Sequence, residues 1–284
     1  MQQPCFDILR PSAVKEQLCE LWQEAFGDSH EFVDAFFAHF PCDDCAHTLS
    51  LGGRVVSVLY ALPSTLCIAG SEHSAAYIYA VATAADCRGR GYMQLLVERV
   101  EGLLRSRGVE YLYLLPASGT LRNYYSRLGY SVCSSRAVEY LSQPHGGSGA
   151  FRFEEAAFSP RLADFCIEQQ RSNAPSVVHS AASLAMNFFN CRSQGGGVFA
   201  VYDSERIASL AFVAMDGDGP LLLECYSASL VAKDFMIQLL CGHFAVDTMR
   251  AFVQGKGEPC CMVRRLTGSG TLPACVNISL LLDK

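Results

Sequence analysis

Residues 75–83 read Ala75-Ala76-Tyr77-Ile78-Tyr79-Ala80-Val81-Ala82-Thr83, and the chain continues Ala84-Ala85-Asp86-Cys87-Arg88-Gly89-Arg90-Gly91. The first nine residues are an unbroken apolar run of strand length, the pattern of a strand covered on both faces. After Gly91, Leu95, Leu96, Val100, Leu103 and Leu104 recur at helical spacing until Gly108 stops the helix. The turn 88–91 therefore joins a buried strand to a helix start. A pyrophosphate needs converging N–H donors and a backbone that can come close, and glycines at a helix start supply both. The free amides of the first helical turn and the positive end of the helix dipole add to that, and two arginines place charge at the rim. On its own, an Arg-Gly-Arg-Gly string is also compatible with a solvated basic loop.

Downstream, Tyr111-Leu112-Tyr113-Leu114-Leu115 is a second buried strand, and Pro116-Ala117-Ser118-Gly119 leads into a short helix through Leu128. Gly129 ends that helix before a strand from Tyr130. Upstream, a short strand is expected around Phe6 to Leu9. Residues 13–26 place Val14, Leu18, Leu21, Trp22 and Phe26 on one helical face, with Gly27 as the stop. Ser29 caps a second helix that carries Phe32, Phe36, Phe37 and Phe40 and closes at Pro41. Leu49 to Leu51 and Val55 to Tyr60 flank Gly52-Gly53 and read as a hairpin, with Pro63 marking a kink or a change of partner. This alternation of strands and helices predicts an α/β domain.

Residues 143–149, Gln143-Pro144-His145-Gly146-Gly147-Ser148-Gly149, are rich in turn formers and hold no large apolar residue, so a linker is placed there. Length alone is also compatible with one larger domain. Beyond the linker, Phe199 to Tyr202, the turn Asp203-Ser204 and Ile207 to Val213 resemble the earlier hairpin. Leu221 to Tyr226 is then followed by a helix carrying Phe235, Met236, Leu239 and Leu240, with no Arg- and Gly-bearing turn between them. Read as an internal duplication, the second copy has lost its phosphate loop.

Half of the 284 residues are hydrophobic and 18% are charged, the composition of a globular protein. A formal charge of −6 disfavours nucleic acid as a partner. No apolar run reaches spanning length, so no membrane partner is expected, and the N-terminus shows no secretory signal, which predicts a cytoplasmic protein. The fourteen cysteines are irregularly spaced and read as reduced, buried apolar residues. His39, Cys42, Cys45 and His47 have a spacing zinc could use, but a single quartet beside a helix end is a weak motif, and no metal is expected.

The turn and its surroundings resemble the GNAT superfamily of acyl-CoA N-acyltransferases, whose hallmark is Gln/Arg-x-x-Gly-x-Gly/Ala at a helix start. Arg88 and Gly91 match it, while Met93 stands where the family usually has Gly or Ala, similar to the multi-domain Eis-like branch. Tyr125-Ser126-Arg127-Leu128-Gly129-Tyr130 looks like the family's Tyr-x-x-Leu-Gly-Phe/Tyr signature, whose tyrosine is the usual general acid. The resemblance implies a GNAT-like mixed sheet flanked by helices at 1–142, and a second, degenerate GNAT-like domain at 150–284. It also implies that acetyl-CoA is the cosubstrate, held by the main chain of Val81 and Thr83 along its pantetheine arm. The amides of Arg88, Gly89, Arg90, Gly91, Tyr92 and Met93 would hold its pyrophosphate. The acyl group would lie where strands 75–83 and 111–115 splay.

Such a site catalyses attack of a neutral amine on a thioester, with one proton leaving nitrogen and one reaching sulfur. Tyr125 suits delivery to sulfur, with Tyr124 beside it as the competing reading. For the base, Tyr79, a water chain, Glu24, Asp28 and His30 stay open, and a desolvated amine needs no strong base. The acceptor is a small-molecule or peptide amine, and a homo-oligomer is compatible with the sequence. A longer acyl group, or a CoA-binding sensor without turnover, are the alternatives.

Overall fold

The computed structural model describes residues 11–144, 151–269, 274–278 and 282. The strand expected at Phe6 to Leu9, and residues 145–149 of the expected linker, lie outside them. Contacts divide the chain into two compact units. The first gathers the described residues within Met1–Leu66, Glu72–Ser131 and Cys261–Leu272; the second gathers those within Cys67–Ser71, Val132–Cys260 and Pro273–Lys284. The units are thus not sequential halves. A segment near the C-terminus completes the first, and residues 132–142 open the second.

In the first unit a 3-10 turn at Pro11–Val14 leads into α1 (Lys15–Phe26), which Gly27 ends with φ +69°. Ser29 caps α2 (His30–His39) by accepting the Phe32 amide, and α3 (Cys42–Cys45) is a single turn after Pro41. The expected hairpin is present as β1 (Ala46–Leu51) and β2 (Arg54–Ile68), antiparallel around Gly52-Gly53, both at positive φ. β2 runs unbroken past Pro63, and Ala69-Gly70 turns the chain into β3 (Ser71–Thr83). α4 (Tyr92–Ser106), β4 (Tyr111–Leu114) and α5 (Gly119–Arg127) follow. The strand order is β1-β2-β3-β4, with residues 262–265 of the last strand, β12 (Glu258–Arg265), antiparallel to β4.

Aromatic side chains from α1 and α2 pack on one face of this sheet. Trp22 lies 4.8 Å from Phe36, 5.0 Å from Tyr60 and 5.7 Å from Tyr79 between ring centroids, and all four are buried. Such ring pairs add to the burial of large apolar area.

The second unit comprises β5 (Ser131–Ser142), β6 (Phe151–Glu155), α6 (Pro160–Ser172), β7 (Ser176–Val178), α7 (Ala181–Ser193), β8 (Gly197–Asp203), β9 (Arg206–Asp216), β10 (Gly219–Ser227), α8 (Leu230–Phe244) and β11 (Thr248–Gln254). Its sheet runs β5-β11-β10-β9-β8-β6. Side chains alternate along β8. Val198, Ala200 and Tyr202 join Leu162, Cys166, Leu184 and Phe188 of α6 and α7. Phe199 and Val201 join Met236 and Leu240 of α8. The sheet is covered on both faces, which explains its nearly continuous apolar strands.

Candidate active site

The geometry begins where β3 leaves β4. Their parallel pairing covers only Ala75↔Tyr111, Ala76↔Leu112 and Tyr77↔Tyr113, although β3 continues to Thr83. Ala80 has φ +44°, a left-handed conformation that costs a non-glycine residue energy and turns the strand. Beyond Tyr77, β3 and β4 are splayed, and the backbone of residues 78–83 faces the gap without β4 as a partner.

A braced corner carries the chain from β3 to α4. The Ala84 amide donates to the Val56 carbonyl at 2.9 Å, and the Ala85 amide to Glu24 Oε1 at 2.7 Å. Arg54 makes a two-pronged contact with Asp86, at 2.7 and 3.0 Å, which lowers the Asp86 carboxyl below its ordinary range. Arg88 Nε donates to the Thr83 carbonyl at 3.0 Å, and Arg90 Nη2 to the Asp86 carbonyl at 2.9 Å. Both arginines of the turn therefore hold its shape, and the Thr83 carbonyl is already engaged on one side.

The turn leaves its amides open. Gly89 and Gly91 have φ +74° and +79°, and a Cβ at either would project into empty space. The Arg88 amide turns back to the Ala85 carbonyl at 3.4 Å, whereas the amides of Gly89 to Gln94 donate to no group among the described residues. No side chain caps α4. By contrast, Ser29, Ser118, Ser159, Ser180 and Ser229 each cap a helix through their hydroxyls. Six N–H groups left open at a helix start are an arrangement that can accept an anion. Tyr92 and Met93 are half-buried in its first turn.

Tyr125 lies on α5, which Ser118 caps by accepting the Leu121 amide. Its ring is 5% exposed and sits edge-on to Tyr124 and Tyr130, at 5.2 and 5.7 Å. Its hydroxyl has no hydrogen bond among the described residues, yet it is not one of the sealed polar atoms of the core. Burial raises its pKa, so the phenol keeps its proton at neutral pH. Tyr124 is only half-buried; burial and then Glu98 raise its phenol.

Arg264 of β12 is a residue that reading the sequence did not single out. Its Nη1 donates to Glu101 Oε1 of α4 at 2.9 Å and also to the Leu128 carbonyl just past α5. Its guanidinium lies 3.7 Å from where a Cβ on Gly129 would sit. Glu101 is 4% exposed; burial raises its carboxyl and Arg264 opposes that rise. The pair ties α4 to the end of the helix that presents Tyr125. More than 130 residues separate the partners, so no local pattern announces it.

The candidate bases are occupied in different ways. Glu24 accepts the Ala85 amide, and Asp28 Oδ2 accepts the Trp22 indole N–H at 3.0 Å. Tyr79 is buried, and that burial raises its phenol. His30 is exposed at the start of α2. Among the described residues, no group of three or more His, Cys, Asp or Glu side chains is arranged to hold a metal. Of the quartet weighed for zinc, Cys45 donates to the Pro41 and Phe40 carbonyls, burial pushes the thiols of Cys42 and Cys45 up to about 11 and 12, and His47 is lowered to about 4.

Residues 11–133 match the family model described as an acetyltransferase (GNAT) domain. No curated protein matches the sequence. Among solved structures, the fold is similar to a GCN5-related N-acetyltransferase from Anabaena variabilis, at 13% identity and TM-score 0.75, covering 94% of this chain and 73% of that one. It is similar to a probable N-acyltransferase from Enterococcus faecalis, at 16% identity and TM-score 0.76, with 94% and 72% covered. Eis1 from Mycobacterium abscessus matches at 15% identity and TM-score 0.69, with 94% and 74% covered. At these identities the likeness establishes the fold: a mixed sheet flanked by helices, shared over nearly the whole chain.

Proposed function

We propose that this chain, whose residues 11–133 match the model of a GNAT acetyltransferase domain, moves an acetyl group from acetyl-CoA to a small-molecule or peptide amine. Acyl transfer from an acyl-CoA is the chemistry that such a domain supports in general. The observation that carries it is the row of open amides from Gly89 to Gln94 at an uncapped helix start, directly after a splayed strand. The pyrophosphate accepts from those amides, and the pantetheine arm runs along the free edge of β3 past Val81 and Thr83.

The reacting amine attacks the thioester carbonyl, a C–N bond forms, and the C–S bond breaks. Tyr125 gives its proton to the departing sulfur, and the proton on nitrogen leaves to water. Acetyl is favoured over longer groups by the packing of Trp22, Phe36, Tyr60 and Tyr79, which fills the face of β3 that carries Tyr79. Thiol release from acetyl-CoA across a panel of amines, alongside thermal stabilisation by acetyl-CoA alone, tests this reading. Stabilisation without thiol release from any amine identifies a sensor. A higher kcat/KM with a long-chain acyl-CoA than with acetyl-CoA overturns the acetyl assignment.

A further inference from the structure

We propose that Arg264 is a positioning residue for the transfer step: from the last strand it fixes where Tyr125 stands relative to the helix that carries the cofactor. The inference rests on the acyltransferase reading, and every group in it belongs to the first unit. Tyr125 is held at its main chain. Its carbonyl accepts the Leu128 amide at 3.0 Å and the Tyr130 amide at 3.1 Å, so the turn after α5 closes on the tyrosine itself. That turn passes through Gly129 at φ +86°, and it is held from outside, because Arg264 Nη1 donates to the Leu128 carbonyl. Two successive hydrogen bonds therefore join the guanidinium to the Tyr125 backbone. A cation beside the last carbonyls of a helix is also favoured by the helix dipole. The rings follow the same route: the guanidinium lies 5.9 Å from the centre of the Tyr130 ring, which stands edge-on to Tyr125.

The other end of the linkage is α4. Glu101, 4% exposed, accepts from the same Nη1 at 2.9 Å. Tyr92 opens this helix, and Glu101 follows about 14 Å along its axis from the turn with the open amides. Leu96, Val97, Val100 and Leu104 are buried along the same helix and keep it fixed. The sheet supplies the third anchor, since Arg264 stands opposite Leu112 of β4, the strand that borders the splay. One side chain thus joins the cofactor helix, the acid helix and the strand between which the acyl group would react. A guanidinium suits this because it is a rigid planar fork, whereas a lysine ammonium is a point charge on a flexible stem.

Arg264→Lys keeps the charge that buried Glu101 needs and removes the fixed geometry. A misplacement of about 1 Å costs on the order of 10²-fold in a chemical step, so single-turnover acetyl transfer should slow about 10- to 100-fold. Acetyl-CoA affinity by calorimetry should stay within about twofold of the parent, because the amides of the 89–94 turn are untouched. In a Tyr125→Phe background the same substitution should cost less than about threefold, since the group it positions is already gone. Glu101→Gln, which keeps an oxygen acceptor for Nη1, serves where Arg264→Lys fails to fold, and the same non-additivity is expected of it. Incorporated 3-fluorotyrosine adds a readout that needs no turnover. The fluorine line of Tyr125, identified by its loss in Tyr125→Phe, should move or split in Arg264→Lys, while that of Tyr60, packed against Trp22, stays in place. An unmoved Tyr125 line, or equal losses of rate in the two backgrounds, overturns the inference alone in a parent that turns over. A parent that releases no thiol with any amine overturns the acyltransferase reading, and this inference with it.

Discussion

Tyr125 combines a buried ring with a hydroxyl that no described residue occupies, and burial keeps it protonated. Removing only that hydroxyl, in Tyr125→Phe, should leave folding and acetyl-CoA affinity nearly unchanged. It should slow the chemical step toward the lower end of the roughly 10²- to 10⁴-fold span of general acid catalysis, since water recovers part of the loss. Tyr124→Phe is the matched control and should keep turnover. Full single-turnover rates in Tyr125→Phe, under conditions where chemistry limits, would make the tyrosine structural. His47 offers a different residue-scale test. Burial and then Arg107 lower it to about 4, so between that value and the unfolded value near 6.5 the unfolded chain binds the extra proton. The contribution of neutral His47 to stability is therefore present above about pH 6.5 and is lost as pH falls toward 4. Unfolding free energies from urea titrations at pH 7.5 and pH 5 should differ by roughly 1–2 kcal/mol more in the parent than in His47→Gln, after allowing for partial exposure. Equal acid losses in the two proteins would remove His47 as the cause.

At the scale of elements, the start of α4 is set by Gly91 at φ +79°, where a β-branched side chain is strained and would enter the open space that the proposed pyrophosphate site requires. Gly91→Val should weaken acetyl-CoA binding by at least about tenfold, with roughly 1–2 kcal/mol of backbone strain alongside. Arg90→Ala should weaken binding only slightly, because its guanidinium braces the Asp86 carbonyl and the open amides remain. Calorimetry that finds parental affinity in Gly91→Val places the pyrophosphate elsewhere. Much of this element was legible: the apolar run, the glycines and the Leu spacing located the strand, the turn and the helix. The splay was implied by the family resemblance but by no local pattern, because Ala80 is one more small apolar residue in an apolar run and nothing local signals its positive φ. Nor could local pattern show that β12 lies beside β4, with Met262 opposite Leu114, since strand partners so far apart in sequence share no turn. Serine caps explain a further contrast. The hydroxyls of Ser118 and Ser229 occupy the helix starts that they precede, whereas α4, like α1 and α3, has no side-chain cap and begins instead at a glycine with positive φ.

For the molecule as a whole, the second unit repeats the plan of the first in sequence order. An antiparallel hairpin, β8 and β9, precedes β10, and α8 then carries the chain to β11, parallel to β10, as α4 carries it from β3 to β4. The repeat was visible in the apolar strands and in the Asp203-Ser204 turn. The interleaving of the units was not, because residues 132–142 and 261–269 pass to the unit opposite the one their order suggests. What differs between the copies is the connection after the splayed strand. In the first, two glycines at positive φ leave six amides open. In the second, Ser227-Ala228-Ser229 runs directly into a capped helix. A pyrophosphate carries several negative oxygens that need converging donors, and only the first copy provides them. Acetyl-CoA should therefore bind with a stoichiometry of one per chain, although both copies retain a gap between parallel strands. Calorimetric titration reads this directly, and Gly91→Val supplies the internal control by removing the single isotherm. Saturation at two equivalents, or one equivalent retained in Gly91→Val, would show that the second copy grips the cofactor through groups other than a helix start.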